Sequence, residues 1–314
     1  MKYAVISDVH GNLPALDAVL TDAREQRVDG YLFTGDYLVK SPYPEECVRR
    51  IRELPGVLAI RGNEEQRLEA LSQEPPEKAS DFSDQMGVSR WAVAHTSRES
   101  LEYALSLPRE IHTELGGLPV HMLHSADSLL GPFLSSSWDV AKVYGSRFLS
   151  SEEFRRDALE ALQKDASARA AAENLPSGVY LFGHTHLQWD ASFKGGRVTL
   201  INPGSCGLPL DCVRYGVPYT LLEIGEGGEV TVTPRRVSFD FPRYCDDLIR
   251  SPLYEAVPEF SAITVEELRL RRARTRSALE FVEAYAQSIG DSRRPFATDT
   301  WQEGCARWFR SMRV

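Results

Sequence analysis

No apolar run in this 314-residue chain approaches the roughly 20 residues that cross a bilayer as a helix. The opening residues, MKYAVISDVHG, turn polar too soon for a secretory signal. A cytoplasmic protein with no membrane partner is the expectation. Lysine is scarce, with only Lys2, Lys40, Lys78, Lys142, Lys164 and Lys194, and acidic residues outnumber all basic ones to leave a net charge of -9. That balance disfavours a protein that wraps duplex DNA or coats an anionic surface through bulk charge. The cysteines, Cys47, Cys206, Cys212, Cys245 and Cys305, form no CxxC pair, and their odd number does not suit a disulfide framework. Reduced, mostly buried thiols are expected. Internal repeats and low-complexity linkers are also missing.

What the chain does have is six short apolar runs, each ending at a metal-capable residue or at a turn of the kind that lines a metal site. KYAVISDVH ends on Asp8 and His10, YLFTGD on Asp36, and VLAIRGN on Asn63. PVHMLH ends on His124, VYLFGHTH on His184 and His186, and VTLINPGS on Asn202 to Ser205. Continuous runs of this length, rich in Val, Ile, Leu, Tyr and Phe, mark strands buried on both faces. In open α/β sheets ligands bind beyond the carboxyl ends of the strands, so these residues converge on one crevice. His121 competes with His124 for the strand-end role, but strand alternation and the HSAD turn that follows favour His124.

The first three runs alternate with helical patterns. Asn12 is placed to cap a helix carrying Leu13, Leu16, Val19, Leu20 and Ala23, and Cys47, Val48, Ile51 and Leu54 share one face of EECVRRIREL. A β-α-β-α-β order implies parallel strands joined by right-handed crossovers. Residues 64–117 read as polar and helical, and Ser150 with Glu153 opens an Ala-rich amphipathic segment within 125–177. Some of these helices are expected to form a cap near the site. YTLLEI and VTVTPRRVSF form a hairpin pattern suited to the second half of a two-layered β sandwich. Residues 1–241 therefore read as one domain, with cap insertions near 64–117 and 125–177, and residues 242–314 as a helical carboxyl-terminal extension. Within that extension Thr264 and Glu267 read as the capping box of a long helix whose stripe is Ala278, Phe281, Val282, Tyr285 and Ile289. A last helix carries Trp301, Cys305, Trp308, Phe309 and Met312.

Hydrolysis at phosphorus requires neutralised non-bridging oxygens and a strong nucleophile at neutral pH, and a pair of divalent cations supplies both by acidifying bound water. Asp8 and His10 stand two apart on one turn, His184 and His186 repeat that spacing, and Asn63 and His124 arrive singly. Asp36 is the expected bridging carboxylate. Mixed nitrogen and oxygen ligands suit manganese, the first choice, or iron, zinc or nickel.

The set resembles the calcineurin-like metallophosphoesterase superfamily, through SDVHGN, GD at Gly35 and Asp36, GN at Gly62 and Asn63, His124, GHTH from Gly183 and NPGS from Asn202, over roughly residues 1–240. SPYPEECV and NPGSCGLP look like its compact bacterial branch, which includes YfcE-like phosphodiesterases and diadenosine tetraphosphatase-like proteins. The resemblance implies a four-layer α/β/β/α sandwich with a helical cap. It implies that Asp8, His10, Asp36 and His186 hold one metal and Asp36, Asn63, His124 and His184 a second, with a metal-bound hydroxide as nucleophile. Asn63 and His10 would also lie near the phosphate.

One departure bears on catalysis. Many relatives follow GN with a histidine that protonates the leaving group, whereas here Glu64 and Glu65 follow. Glu64 serves as that acid only if burial raises its pKa, and two carboxylates near cations more naturally stay ionised. Glu65 is expected to brace Arg61 or a ligand. His95 and His112 are spare candidates, and Lys40 and Arg61 lie near strand-end loops where they could contact phosphate, solvated surface being the expectation for both. The reading is a phosphodiesterase or phosphoanhydride hydrolase acting on a phosphoester or nucleotide, with preference for leaving groups that need little protonation. A phosphomonoesterase or phosphoprotein phosphatase is the alternative. Another is a nucleic-acid-processing enzyme gripping through Arg269, Arg271, Arg272, Arg274 and Arg276. Glu266, Glu267, Glu280 and Glu283 dilute that basic cluster, so a solvated face or a homodimer contact is expected there.

Overall fold

Side chains of a strand alternate between faces, so a run that is apolar throughout must lie between two layers. In β1 (Lys2–Ile6), Ala4 and Ile6 face an outer helical layer, whereas Tyr3 and Val5 face inward. The computed structural model describes residues 1–132 and 142–312. The part of the expected cap insertion at 133–141 lies outside the described residues, as do 313–314.

β1 pairs in parallel with β2 (Gly30–Phe33), and β2 with β3 (Val57–Ala59), so that Val5, Leu32 and Leu58 lie in register. The closing hairpin, β9 (Val217–Ile224) and β10 (Val230–Val237), joins this same sheet antiparallel to β1, giving the order β10-β9-β1-β2-β3. The second sheet has the order β4-β5-β6-β8-β7, built from β4 (Glu110–Leu115), β5 (Leu118–Leu123), β6 (Gly178–Leu181), β7 (Gln188–Phe193) and β8 (Val198–Pro203). β5, β6 and β8 run parallel. Between the sheets lie Val5, Leu32, Val120, Met122, Leu181 and Leu222.

Helices Leu13–Glu25, Pro44–Arg52 and Phe241–Ile249 cover the outer face of the first sheet. Helices Ser151–Lys164 and Ala166–Asn174 cover the second, with Phe154 and Leu162 packed on Tyr180, Phe182 and Leu200. The result is the four-layer sandwich. Asn12 caps the first helix by accepting the Ala15 N–H, and the Ser150–Glu153 capping box is formed. All five cysteines are free and buried. Among the described residues no helix is long and apolar enough to cross a membrane.

Four expectations need correction. The polar stretch 64–117 holds a strand, β4, because EIHTEL sets only Ile111 and Leu115 against the inner core and exposes its alternate positions on an edge. Leu68, Leu71, Val88 and Trp91, from the same stretch, pack into the outer core of the first sheet, so these helices are a layer of the sandwich and not a cap alone. The hairpin sits on the first sheet because β1 has a free edge there. The long carboxyl-terminal helix is two helices, Pro258–Leu270 and Thr275–Ser288, separated at Arg271, whose φ is 54°. Thr264 lies inside the first helix and donates to the Phe260 carbonyl. Glu267 instead accepts the backbone N–H groups of Arg274 and Thr275, at 2.7 and 2.8 Å, and so caps the second.

The arginine cluster is split by the same break. Arg271 and Arg272 are buried and stack on Phe241 and Phe148, while Arg269 and Arg276 pair with Glu266 and Glu280 on the surface. Trp301, Cys305 and Trp308 of helix Thr298–Ser311 bury against Ile263, Ala278 and Val282, whereas Met312 is exposed. Truncating Trp301, fully buried, to alanine should cost about 3–5 kcal/mol. Urea unfolding that shows a loss below about 1 kcal/mol would mean the helical extension does not unfold with the sandwich.

Candidate metal centre

The parallel strands β1, β2, β3, β5, β6 and β8 all end at the same edge of the two sheets, and the loops beyond them are stitched together through backbone. Asp8 N–H donates to Gly35 O, His10 N–H to Asp36 O, Gly183 N–H to His124 O and Gly207 N–H to Asp8 O, at 2.9–3.0 Å. These bonds hold an unusual backbone. Asp8, His10, Asp36, His184 and His186 all adopt positive φ, between 50° and 68°. Such conformations cost non-glycine residues on the order of 1 kcal/mol each, and they persist where the surroundings over-determine them. Gly62 has no alternative, since a Cβ there would lie 2.1 Å from Asp36 Oδ1.

Asp8, His10, Asp36, Asn63, His124, His184 and His186 meet in one crevice. His10 and His186 each spend Nδ1–H on a backbone carbonyl, Val39 O at 3.0 Å and Leu208 O at 2.7 Å. Burial holds both rings neutral, lowering the His10 pKa to about 3 and that of His186 well below its usual value. Their Nε2 lone pairs therefore face each other at 3.1 Å, with Asp8 Oδ1 at 4.0 and 3.6 Å. Two lone pairs at that distance beside a buried carboxylate repel unless a cation lies among them. The donor set fits a metal ion.

On the other side, Asn63 Oδ1 accepts from His184 Nδ1 at 2.7 Å and from His124 Nε2 at 3.0 Å. His124 donates Nδ1–H to Thr34 O at 2.6 Å, and its Nε2 is 3.4 Å from Asp36 Oδ2. Burial opposes a charge on His124, but the Asp36 carboxylate outweighs it and raises the ring pKa to about 10. A proton on His124 thus supplies positive charge. Burial pushes the Asp8 carboxyl up to about 7, with Asp36 adding to the rise, while burial at Asp36 is outweighed by the charge and hydrogen bond of His124, which help hold that carboxyl well below the carboxylate range. Two groups of metal-capable atoms, each within 4.8 Å of one another, are Asp8, His10, His186 and Asp8, Asp36, His124. Asp8 is common to both, and so competes with Asp36 for the bridge.

The neighbours of the site include residues with no motif to mark them. Glu65 does not brace Arg61; its carboxylate accepts the backbone N–H groups of Asp36, Tyr37 and Gly62 at 2.7–2.9 Å and fixes the Asp36 turn. Arg61 turns away to Glu69 and Leu105 O. Glu64 is buried and ion-paired with Arg67 at 2.7 Å, and burial raises its pKa against the pull of that guanidinium. Lys40 is not on solvated surface: its side chain is only 13% exposed. Asn202 and Ser205 support loops, Ser205 Oγ donating to Asp8 O and Asn202 Nδ2 to Gly183 O. His95 stacks on Trp91, and His112 pairs with His121 at the outer edge of the second sheet, so none of these imidazoles joins the crevice. Replacing Glu65 by glutamine removes one acceptor oxygen from three buried donors and should cost about 1–3 kcal/mol, with fewer metal ions retained on dialysis. Unchanged stability and metal content would remove Glu65 from the support of the site.

The calcineurin-like phosphoesterase superfamily domain matches residues 1–227. A metallophosphoesterase from Sphaerobacter thermophilus is similar in structure, with a TM-score of 0.56 and 23% identity, covering 86% of this chain and 100% of that one. The hypothetical protein PH1004 of Pyrococcus horikoshii OT3 gives a TM-score of 0.58 at 20% identity, over 87% and 99% of the two chains. The uncharacterized protein MJ0912 of Methanocaldococcus jannaschii is 32% identical over 124 residues, 39% of this chain and 48% of that protein. The matched segment spans about half the length of that curated relative. With the family domain extending over all six strand ends that frame the crevice, the chain belongs to the calcineurin-like phosphoesterase superfamily.

Proposed function

We propose that the chain is a metal-dependent hydrolase of phosphodiester or phosphoanhydride bonds acting at this crevice. The observation that carries the reading is the facing Nε2 pair of His10 and His186 beside Asp8, with both Nδ1–H groups already spent on carbonyls. Asp8, His10, Asp36 and His186 are assigned to one ion, and Asp36, Asn63, His124 and His184 to the other, manganese being the first choice and iron, zinc or nickel the others. Two such ions, when bound, neutralise phosphate charge and acidify water. Asp36 is assigned the bridge, as the family resemblance implies, and its Oδ2 lies 3.4 Å from His124 Nε2.

The chain's own groups then divide the remaining work. The Val39, Leu208 and Thr34 carbonyls fix the orientation of His10, His186 and His124. Asn63 holds its oxygen between His124 and His184 and donates its amide N–H to Glu64 Oε1 at 3.4 Å, a long bond that a phosphate oxygen would take over as acceptor. Glu64 occupies the leaving-group side. Burial raises its pKa and so helps it hold a proton, but its pairing with Arg67 opposes that protonation, which favours nucleotide anhydrides, aryl esters and activated diesters.

Manganese-supplemented protein should hydrolyse bis(p-nitrophenyl) phosphate, and Asp36→Asn should lower the rate by more than the roughly 100-fold that loss of a partner behind a ligand costs. Asp36→Asn should also release both ions; retention of one would move the bridge to Asp8. Absence of turnover in the metal-loaded wild type would overturn the reading. Protons compete with metal for His124, raised to about 10, and Asp8, raised to about 7, so metal affinity should rise between about pH 6 and 9. Calorimetry in buffers of different ionisation enthalpy should register proton release on binding. A pH-independent affinity without proton release would contradict these assignments.

A further inference from the structure

A cavity of about 220 Å³ opens beside Glu64, and part of its wall comes from outside the segment matched by the family domain. Phe260 of helix Pro258–Leu270 and Leu279 of helix Thr275–Ser288 line it together with Met86. Lys40 and Arg67 also line it, as do Gln85 and Thr275. Two wall residues touch the metal centre: Glu64 accepts from Asn63 Nδ2 at 3.4 Å and donates its backbone N–H to Asp36 Oδ1 at 2.9 Å, and the Val39 carbonyl accepts from His10 Nδ1.

Lys40 is held there deliberately by the fold. Its backbone sits at φ 98°, a region that non-glycine residues enter only at a cost. Its ammonium lies 5.9 Å from the centre of the Phe260 ring, and the nearest carboxylate oxygen, Glu267 Oε2, is 3.8 Å away, too far for a hydrogen bond. Glu267 is 1% exposed, and its other oxygen is taken by the Arg274 and Thr275 N–H groups. The cation is therefore oriented by a fixed, buried carboxylate while its own donors are unspent. Arg67, by contrast, is engaged with Glu64 at 2.7 Å.

We propose that this cavity is the leaving-group subsite of the hydrolase, that Lys40 binds an anionic phosphate carried by that leaving group, and that Phe260, Met86 and Leu279 pack against its organic part. The inference rests on the hydrolase reading and narrows it to phosphoanhydrides whose leaving group is itself a nucleotide. An ammonium with three free donors recognises a phosphate as a point charge, and the apolar wall with the Gln85 and Thr275 side chains suits a flat, hydrogen-bonding ring. Glu267 is a positioning residue that acts through Lys40. The carboxyl-terminal helices thus supply a substrate wall and the group that aims its cation.

The test uses the full-length protein and ADP as the probe of the leaving group. Calorimetry with manganese present should show ADP binding that weakens at least tenfold in Lys40→Met and returns to within about threefold of wild type in Lys40→Arg. Lys40→Met should also lower kcat/KM for a dinucleoside polyphosphate at least tenfold more than for bis(p-nitrophenyl) phosphate, whose leaving group has no second phosphate. No ADP binding by wild type, equal binding by Lys40→Met, or equal losses on both substrates would overturn the subsite. Hydrolysis of bis(p-nitrophenyl) phosphate by wild type tells the two failures apart: turnover with any of those results leaves the hydrolase reading standing, and its absence removes that reading.

Discussion

The crevice is built around an electrostatic conflict. Buried nitrogens of His10 and His186 point their lone pairs at each other, and the buried carboxylates of Asp8 and Asp36 lie close by. Burying such groups without compensation is expensive, and positive charge is what relieves it. The proton on His124 does so on one side. Divalent cations would do so on both, and the wish of the site for positive charge is the physical link between this fold and phosphate chemistry.

Holding groups that repel one another requires rigidity from elsewhere, and the sandwich supplies it. Six parallel strands deliver their carboxyl ends to a single edge, and the inter-sheet core of Val5, Leu32, Met122 and Leu181 fixes the two sheets relative to each other. The loops then bond to one another's backbone, so Asp8, His10, Asp36, His184 and His186 remain in left-handed conformations that an isolated loop would abandon. Glu65 illustrates the division of labour. A buried carboxylate remote from the donor atoms ties three N–H groups together and thereby sets the direction of Asp36.

Sequence made the strand-end residues legible because the two signals involved are local: an apolar run of strand length and a polar residue at its end. Capping at Asn12 and at Ser150 was legible for the same reason. The edge strand β4 was not, since it exposes alternate residues and resembles the polar helical stretch around it. The break at Arg271 escaped because it depends on Glu267 capping a helix that starts eight residues later, and on Phe241 and Phe148 receiving the two arginines that flank the turn. Lys40 read as surface for a similar reason. Its burial is produced by helices more than two hundred residues away, a tertiary fact with no trace in SPYPEECV.

The metal centre is tested most directly by anomalous diffraction from crystals of the protein grown with manganese. Two peaks are expected in the crevice, one among Asp8, His10 and His186 and one among Asn63, His124 and His184, with Asp36 between them. A crevice without a peak, in crystals where manganese is bound elsewhere or not at all, would contradict the dinuclear assignment and with it the chemistry derived from these side chains.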